Sequence, residues 1–392
     1  MLSSVFAKNT QKNTDGRITN VICNSAKQGL IPQREYFDKN IANSDNTNGY
    51  YIIEENDFVY NPRKSADAPY GPISSYKYTE AGIVSPLYLC FRAKKEINPA
   101  FFEWYFRSSA WHRYVYMSGD SGARHDRVSI KDDTFFAMPI NIPSAHEQAQ
   151  IAIFLERIEQ RIEMQRALVD SLKKYKRGLS SSLFDEISKS GCPTVSFADG
   201  FRLLQNNTFS RDDLSYDVGD VRNIHYGDVL IKYGTVTDIG ALSVPCIKPD
   251  RDIEKFSSSS YLRNGDIVFA DTAEDYTVGK ATEIVGVTNQ RVLSGLHTIP
   301  CRPHDRFAPM FLGHYFNSYH FRRQIYRMIQ GIKVSSISKS EIAKTTILTP
   351  PYDVQRKVAS VLSEVDHLIE KEAETVIVLQ KIRRGLLQQL FI

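Results

Sequence analysis

Apolar residues recur at alternating steps of four and three along two stretches of the chain, 151–183 and 358–390. This spacing is the a/d pattern of a coiled-coil helix, so each stretch predicts a long helix whose apolar seam has to be buried. The residues of the two seams are Ile151, Leu155, Ile158, Ile162, Val169, Leu172, Leu179, Leu183, Val358, Leu362, Val365, Ile369, Val376, Leu379, Leu386 and Leu390.

The two stretches are copies of one another. A shift of 207 residues aligns positions 143–184 with 350–391 without a gap, and 14 of the 42 aligned positions are identical. Ordinary residue usage gives about three identities over such a length. Both seams are interrupted at the same two places, by Gln165 and Glu372 and by Lys176 and Arg383. The chain is therefore a duplication in which each half closes with a helix.

Each predicted helix has a start signal. Ser144 and Glu147 have the spacing of a capping box, and the second helix begins after Pro350 and Pro351, which cannot continue a helix from upstream. Because neither seam can be buried alone, we expect the two helices to pair as an antiparallel coiled coil. The alternative, in which each helix covers its own domain, also fits the spacing.

The regions before the helices share an order of segments. Each has an Asp-led strand, a polar loop (60–76 and 270–286), an apolar stretch, an aromatic helix and a Gly-basic loop (121–130 and 330–338). We predict an α+β protein with two globular domains of similar fold, mixed and β-rich with short helices, separated by the two long helices. The expected boundaries are 1–142, 143–190, 191–349 and 350–392.

Composition adds little to this organisation. The 392 residues suit two domains plus connecting elements, and the net charge of +4 permits a nucleic-acid partner without requiring one. The five cysteines are dispersed, as in a reducing compartment, and there is no apolar run of the roughly 18 residues that span a bilayer. We therefore expect a soluble cytoplasmic protein.

Catalytic and metal-binding motifs are incomplete. The sequence TPPY at 349–352 is close to the motif of adenine methyltransferases, but Thr349 stands where Asn or Asp is needed. Gln150 breaks a HExxH zinc motif, and the sequence contains neither a phosphate-binding loop nor a Cys/His grouping. We expect no catalytic residue, metal or cofactor in this chain. A methyltransferase using TPPY and a coiled-coil protein scaffold are the alternative functions.

Two divergent domains, each followed by a repeated Pro-x-x-x-x-Gln helix entry and a helix ending in Arg-Gly-Leu-x-x-x-Leu-Phe, resemble the specificity subunit of type I restriction-modification systems. The resemblance implies that each domain recognises one half of a bipartite double-stranded DNA target. It also implies that the helices set the spacing and dock two methyltransferase subunits that use S-adenosylmethionine, and that ATP-hydrolysing restriction subunits join this core.

DNA contacts are expected from basic and aromatic residues in the variable loops. For any single residue, a solvated surface charge or a core tyrosine is the alternative. The candidates are Arg63, Lys64, Tyr70, Arg124, His125 and Arg127 in the first domain, and Lys232, Tyr233, Lys280, Arg291 and Lys333 in the second.

Gly178 and Gly385 occupy equivalent positions inside the two predicted helices. Glycine costs a helix about 1 kcal/mol relative to alanine, so we expect close approach of another backbone there, either the paired helix or a partner subunit. The basic residues around them are candidates for DNA contact, for helix-end stabilisation or for docking.

Overall fold

The computed structural model describes residues 1–36, 47–119, 126–331 and 334–391. The chain divides into two compact units: Met1–Arg166 with Glu374–Ile392 (unit 1), and Ala167–Ala373 (unit 2). The divisions fall at equivalent positions of the repeat, because 166 + 207 = 373. The four segments expected from the sequence have their boundaries at the ends of the long helices, and they stay a prediction. The two compact units instead have their boundaries inside both long helices.

Unit 1 holds the first domain. Its strands are β1 (Phe6–Lys8), β2 (Ile22–Ser25), β3 (Gly29–Pro32), β4 (Tyr51–Ile53), β5 (Phe58–Tyr60), β6 (Ile73–Ser75), β7 (Gly82–Val84) and β8 (Leu89–Ala93). Its short helices are α1 (Gln33–Tyr36), α2 (Pro99–Arg107), α3 (His112–Ser118) and α4 (Asp132–Phe136), with a 3-10 turn at Leu2–Ser4. The main sheet is antiparallel with the order β1-β8-β5-β6, and β2-β3 and β4-β7 form separate pairs.

Unit 2 contains the second domain, in which the structure describes more strands than in the first. They are β9 (Thr194–Ser196), β10 (Phe201–Leu203), β11 (Leu214–Ser215), β12 (Val221–Ile224), β13 (Val236–Asp238), β14 (Cys246–Ile247), β15 (Ile267–Ala270), β16 (Thr272–Ala273), β17 (Ala281–Val285), β18 (Arg291–Ser294), β19 (Thr298–Pro303), β20 (Ser335–Ser336) and β21 (Thr346–Leu348). Two sheets have the orders β10-β19-β15-β17-β13 and β11-β14-β12-β18, and two further pairs are β16-β20 and β9-β21.

The helices of the chain are completed by α5 (Ala145–Lys189), α6 (Phe197–Gly200), α7 (Tyr226–Ile231), α8 (Phe311–Asn317), α9 (Tyr319–Ile325), α10 (Lys339–Ile342) and α11 (Tyr352–Leu390). 3-10 turns lie at Arg211–Asp213 and Ser258–Ser260. The mixed α+β class and the two long helices are as the sequence predicts. No helix in the described part of the chain combines the length and apolar character needed to cross a membrane.

The Asp-led strand of each domain is anchored by the same ion pair, in which the aspartate is buried and the arginine is partly exposed. In unit 1 the guanidinium of Arg92 donates to both carboxylate oxygens of Asp57 at 2.6 and 2.7 Å, and in unit 2 Arg302 donates likewise to Asp266 at 2.7 and 2.6 Å. Both aspartates are 1% exposed. A two-pronged guanidinium–carboxylate contact compensates for burying the charges, so an Asp before the strand has a structural reason in both halves.

The repeated helix entry also has a structural reason. The side-chain amide of Gln148 donates to the carbonyl oxygen of Pro143 at 2.8 Å, and Gln355 donates to Pro350 at the same distance. Both bonds satisfy a carbonyl at the point where the chain turns into the helix. The capping box predicted for α5 is confirmed, because Glu147 Oε2 accepts from the backbone of Ser144 and the Glu147 N–H donates to Ser144 Oγ.

Each long helix ends on the domain of the other half. Phe391, the last aromatic of the second copy, packs against Phe101 and Tyr105 of α2, with ring centroids 5.4 and 5.9 Å apart. In unit 2 its equivalent Phe184 packs against Phe311 and Tyr315 of α8, at 5.9 and 5.3 Å. Both expected arrangements therefore occur together, since the helices pair with each other and also close the domain cores.

Within each unit the two helix segments run antiparallel, and every seam residue is buried or half-buried. The charged interruptions of the seams are paired across the helices. Arg383 donates to Glu159 in unit 1, and Lys176 contacts Asp366 in unit 2. These pairs are equivalent under the repeat, because Lys176 aligns with Arg383 and Glu159 with Asp366.

The structure corrects one interpretation of the mid-helix glycines. A Cβ atom built on Gly178 or on Gly385 meets no other atom of the chain within 4 Å. Packing between the two helices therefore does not require glycine at either position.

The Glu159–Arg383 pair is expected to fix the antiparallel register in unit 1. Glu159→Lys places two cations together and should lower the free energy of unfolding by about 1.5–3 kcal/mol, the range for hydrogen bonds to charged groups. Denaturant unfolding measures this, and the reversed pair Glu159→Lys with Arg383→Glu should recover most of the loss. The control Glu163→Lys, at an exposed position of the same helix, should stay within about 0.5 kcal/mol. Equal losses from both lysine substitutions would contradict this assignment.

Candidate DNA interface

In unit 1 the polar loop and the Gly-basic loop are joined by a short antiparallel bridge. Arg63 pairs with Arg127, the N–H of Lys64 donates to the carbonyl oxygen of Asp126 at 2.8 Å, and the N–H of Val128 donates to Pro62 at 2.9 Å. The fold thus brings together candidates from two loops, although the paired residues Arg63 and Arg127 are 64 positions apart in sequence.

The side chains at this bridge are available to a ligand. Arg63 and Lys64 are exposed. Arg127 is half-buried, and its Nε is buried without a hydrogen-bond partner among the described residues. A buried guanidinium nitrogen that lacks an acceptor costs free energy, and an anionic group bound at the bridge would supply one. Arg124 and His125 lie outside the described residues.

Tyr70 lies in the polar loop of unit 1, beside helix α3. Its ring lies 4.7 Å from that of His112, and its carbonyl oxygen accepts a hydrogen bond from the Tyr60 hydroxyl at 2.8 Å. Gly71 follows with φ +84°, and a Cβ there would lie 2.1 Å from the carbonyl oxygen of Asn61. Only glycine allows this turn, which fixes Tyr70 at the side of the bridge.

Sequence reasoning missed the contribution of helix α3. His112 contacts Tyr70, and Tyr116 lies one turn further along and is 72% exposed. Residues four apart share one face of a helix, so Tyr116 extends the same surface. The spacing of His112 and Tyr116, directly before the Gly-basic loop, was the available signal.

Unit 2 repeats the arrangement. Strand β16, in the polar loop, pairs with β20, in the Gly-basic loop, and the register joins Thr272 to Ser336 and Ala273 to Ser335. Lys333 lies outside the described residues. The helix that corresponds to α3 is α9, and its Arg322 donates to the carbonyl oxygens of Tyr276 and Val278 at 2.7 and 3.0 Å.

Aromatic residues flank the unit 2 bridge as they do in unit 1. Tyr276 is 81% exposed, and the Arg322 guanidinium lies 5.3 Å from the ring centroid of Tyr326. Sequence reasoning missed these three residues, although basic and aromatic side chains alternate through 319–327. The polar loop of unit 2 also carries Glu274 and Asp275, so the surface of this loop is less positive than that of the polar loop of unit 1.

Two candidate DNA contacts of unit 2, Lys280 and Tyr233, make structural contacts within the unit. Lys280 Nζ donates to the carbonyl oxygens of Leu230 and Tyr233 at 2.9 and 3.0 Å, and burial lowers its pKa. Tyr233 is 4% exposed, and burial raises the pKa of its hydroxyl. Together they hold the end of α7 against the polar loop.

The remaining candidates of unit 2 are accessible but lie outside the bridge. Lys232 is exposed, and its Nζ contacts the Tyr216 hydroxyl at 2.6 Å and Asp228 at 3.2 Å. Arg291 is exposed at the start of β18, opposite Val221 of β12. The structure therefore groups Arg63, Lys64, Tyr70 and Arg127 in unit 1 but does not gather the unit 2 candidates in the same way.

The TPPY segment has a structural explanation. The backbone N–H and the hydroxyl of Thr349 both donate to the carbonyl oxygen of Pro193, at 2.8 and 3.0 Å, and Pro350 accepts from Gln355. These bonds hold β9 beside β21 and begin α11. Among the described residues no three His, Cys, Asp or Glu side chains are grouped to hold a metal ion.

Part of the chain is similar in sequence to known proteins. Residues 5–174 match the type I restriction modification DNA specificity domain. A curated relative, the putative type I restriction enzyme MjaX specificity subunit of Methanocaldococcus jannaschii, is 26% identical over 198 residues, which are 49% of this chain and 42% of the relative. The chain thus matches less than half the length of that relative.

Solved structures share the fold at low sequence identity. A chain from a type I R-M system whose assembly has been analysed has a TM-score of 0.61 at 16% identity, covering 99% of this chain and 95% of its own. The HsdS subunit from Thermoanaerobacter tengcongensis has a TM-score of 0.50 at 16% identity, with 100% and 95% covered. The chain is therefore similar to type I specificity subunits in part of its sequence, and it shares the fold of these solved structures over its whole length.

Proposed function

We propose that this chain is a non-catalytic DNA recognition subunit in which each domain reads one half of a bipartite double-stranded target. The observation that carries the proposal is the bridge between the polar loop and the Gly-basic loop, which occurs in both units. The same surface occurs in both units, but the sequences of its loops differ. This combination suits two domains that bind DNA in the same way and recognise different bases.

The chemistry at the bridges fits nucleic acid. Arg63 and Lys64 are exposed cations for phosphate contacts, and an arginine fork recognises guanine in the major groove. Tyr116 and Tyr276 present exposed aromatic rings beside these positions. The loop carboxylates of unit 2 are able to accept from a cytosine amino group, so the two units are expected to prefer different bases.

The long helices are proposed to set the spacing of the half-sites and to dock two methyltransferase subunits. Support comes from their exposed side, which is opposite the seam. In unit 2, α5 exposes Leu168 and Tyr175 next to Gly178, and in unit 1, α11 exposes Val378 and Ile382 next to Gly385. An exposed apolar patch that includes a helical glycine suits the close approach of a partner helix.

The assembled complex is proposed to supply the chemistry in the cytoplasm. S-adenosylmethionine would bind to the methyltransferase subunits and ATP to the restriction subunits, and neither cofactor is assigned to this chain. Of the alternatives, a TPPY methyltransferase is not favoured, because Thr349 is engaged with Pro193. A scaffold without DNA binding leaves the exposed cations and aromatic rings at the bridges unexplained.

Replacing the bridge cations of unit 1 should weaken binding to one half-site. Arg63→Ala with Lys64→Ala removes two exposed charges, and we expect a loss of about tenfold or more and a salt dependence smaller by about two ions. Fluorescence anisotropy of the complex with methyltransferase subunits, titrated with its target DNA at several salt concentrations, measures both effects.

The control Arg17→Ala with Lys95→Ala removes two exposed cations of the same unit outside the bridge, and it should leave affinity unchanged. Exchange of the whole loop 60–76 should change one half of the recognised sequence only. If the control and the bridge variant lost affinity for DNA equally, the loss would reflect general electrostatic attraction between the protein and DNA, and the bridge would not be a specific contact.

Substitution of the helical glycines should separate docking from folding. Gly178→Lys with Gly385→Lys places side chains in open space within this chain, so we expect a folded protein with unchanged helicity by circular dichroism. Binding to the methyltransferase subunit should weaken at least tenfold, measured by calorimetry, because the new side chains occupy the patch.

The matched control for docking is Glu163→Lys with Glu370→Lys, which adds the same side chain at equivalent exposed positions closer to the seam. It should bind the methyltransferase subunit normally. Normal binding by the glycine variant would place the docking surface elsewhere on the chain.

A further inference from the structure

The turn before the Asp-led strand has the same geometry in both units. In unit 1 the N–H of Glu54 donates to Asp57 Oδ2 at 2.9 Å, and in unit 2 the N–H of Arg263 donates to Asp266 Oδ2 at 2.7 Å. The N–H of each aspartate donates in turn to the carbonyl oxygen of the first residue, at 3.0 Å in both units. Glu54 and Arg263 therefore occupy equivalent positions, and the side-chain charge at this position is reversed between the units.

The reversed charge changes the surroundings of the arginine that pairs with the aspartate. In unit 1, Nη1 of Arg92 lies 2.9 Å from Glu54 Oε2, so all three guanidinium nitrogens face a carboxylate. In unit 2, Nε and Nη2 of Arg302 donate to Asp266, and Nη2 also donates to the carbonyl oxygen of Tyr261. Nη1 of Arg302 is buried and has no hydrogen-bond partner among the described residues. A buried charged donor without an acceptor costs free energy.

Arg263 and Arg302 line a cavity of about 410 Å³, which we call the Arg263 cavity. It lies at the start of β15, whereas the bridge strand β16 follows the end of β15, so the cavity is separate from the candidate DNA interface. A cavity of this size holds a small molecule or a single side chain. The other charged or titratable residues in its lining are Asp266, Glu283, His304, Asp305 and Arg306.

The acidic residues of the lining do not provide the acceptor for Arg302 Nη1. Asp266 binds the other two nitrogens of the same guanidinium. Glu283 accepts from two backbone N–H groups at the start of α8, at 2.7 and 2.9 Å. Burial raises the pKa of Glu283 to about 7, so its negative charge is reduced near neutral pH. Asp305 is exposed and forms no ion pair within the described part of the chain.

We propose that the Arg263 cavity binds a carboxylate group. The bound group accepts from Nη1 of Arg302, as Glu54 does from Arg92 in unit 1, and Arg263 supplies a second cation beside it. A carboxylate is favoured over a phosphate, because the acidic residues of the lining repel a dianion more strongly than a monoanion. A small organic acid and the side chain of an acidic residue on a partner subunit share this chemistry. The inference does not depend on DNA binding.

Propionate, which matches the side chain of glutamate, tests the proposal on the full-length chain. It is titrated at an ionic strength held constant with sodium chloride, while thermal unfolding is followed. We expect the melting temperature to rise with the concentration of propionate, because a ligand of the folded state stabilises it. The uncharged isostere propionamide should leave the melting temperature unchanged. No response to propionate, or an equal response to both compounds, would overturn the proposal.

Arg263→Glu supplies the acceptor within unit 2, as Glu54 does in unit 1. Without ligand, we expect a melting temperature higher by about 2–4 °C, the shift that one net hydrogen bond produces in a unit of about 200 residues, and no response to propionate. The control Lys339→Glu makes the same charge change at an exposed position of unit 2 outside the cavity, and it should keep the response of the unaltered chain. A full propionate response in Arg263→Glu would exclude the cavity.

The reciprocal substitution Glu54→Arg removes the acceptor of Arg92 in unit 1. It should lower the melting temperature, and propionate should recover part of the loss; no recovery would contradict the equivalence of the two turns. Repeating the propionate titration on the complex with methyltransferase subunits identifies the source of the carboxylate. Loss of the response on assembly would assign the carboxylate to an acidic residue of the partner, whereas a retained response would assign it to a small organic acid.

Discussion

The structure depends on burying two apolar helix seams that neither half of the chain can cover alone. Each seam is interrupted by a cation, and that cation is neutralised by a carboxylate on the opposing helix, Lys176 with Asp366 and Arg383 with Glu159. A charged pair inside an apolar contact contributes little net stability, but a shift of the helices by one turn would leave both charges unpaired. The pairs therefore select one antiparallel register, and the register fixes which segment closes which domain.

The repeat also explains sequence features that have no evident reason when one half of the chain is considered alone. Three features have the same contact in both units. The Asp before the core strand pairs with an arginine, the Gln of the helix entry bonds to a proline carbonyl, and the terminal Phe packs on an aromatic helix. What the two halves do not share is loop sequence. Selection on the scaffold and divergence in the loops are what a pair of readers for different half-sites would show.

The periodicity of apolar residues made the long helices predictable, because ten regularly spaced positions in each copy define one buried face of the helix. The domains were predictable only in outline, since strands of two to six residues carry too little pattern to fix their pairing. At the candidate interface, the exposed Arg63 and Lys64 followed from loop composition. The inward contacts of Lys280 were not predictable, because a sequence does not show that a loop lysine turns inward to cap a helix. Arg322 and His112 were missed because basic and aromatic residues on a short helix look like an ordinary amphipathic face.

The division of the chain has a consequence for its synthesis. Unit 2 is one continuous segment, whereas unit 1 requires Glu374–Ile392 to be complete. A chain leaving the ribosome thus possesses every part of its second unit before the first unit has its last helix segment. Until Leu387 and Phe391 emerge, the aromatic face around Phe101 and Tyr105 has no cover, although it was made almost 300 residues earlier. The N-terminal domain is the first to be translated and the last to be finished, which exposes it to chaperones and proteases for most of the time of synthesis.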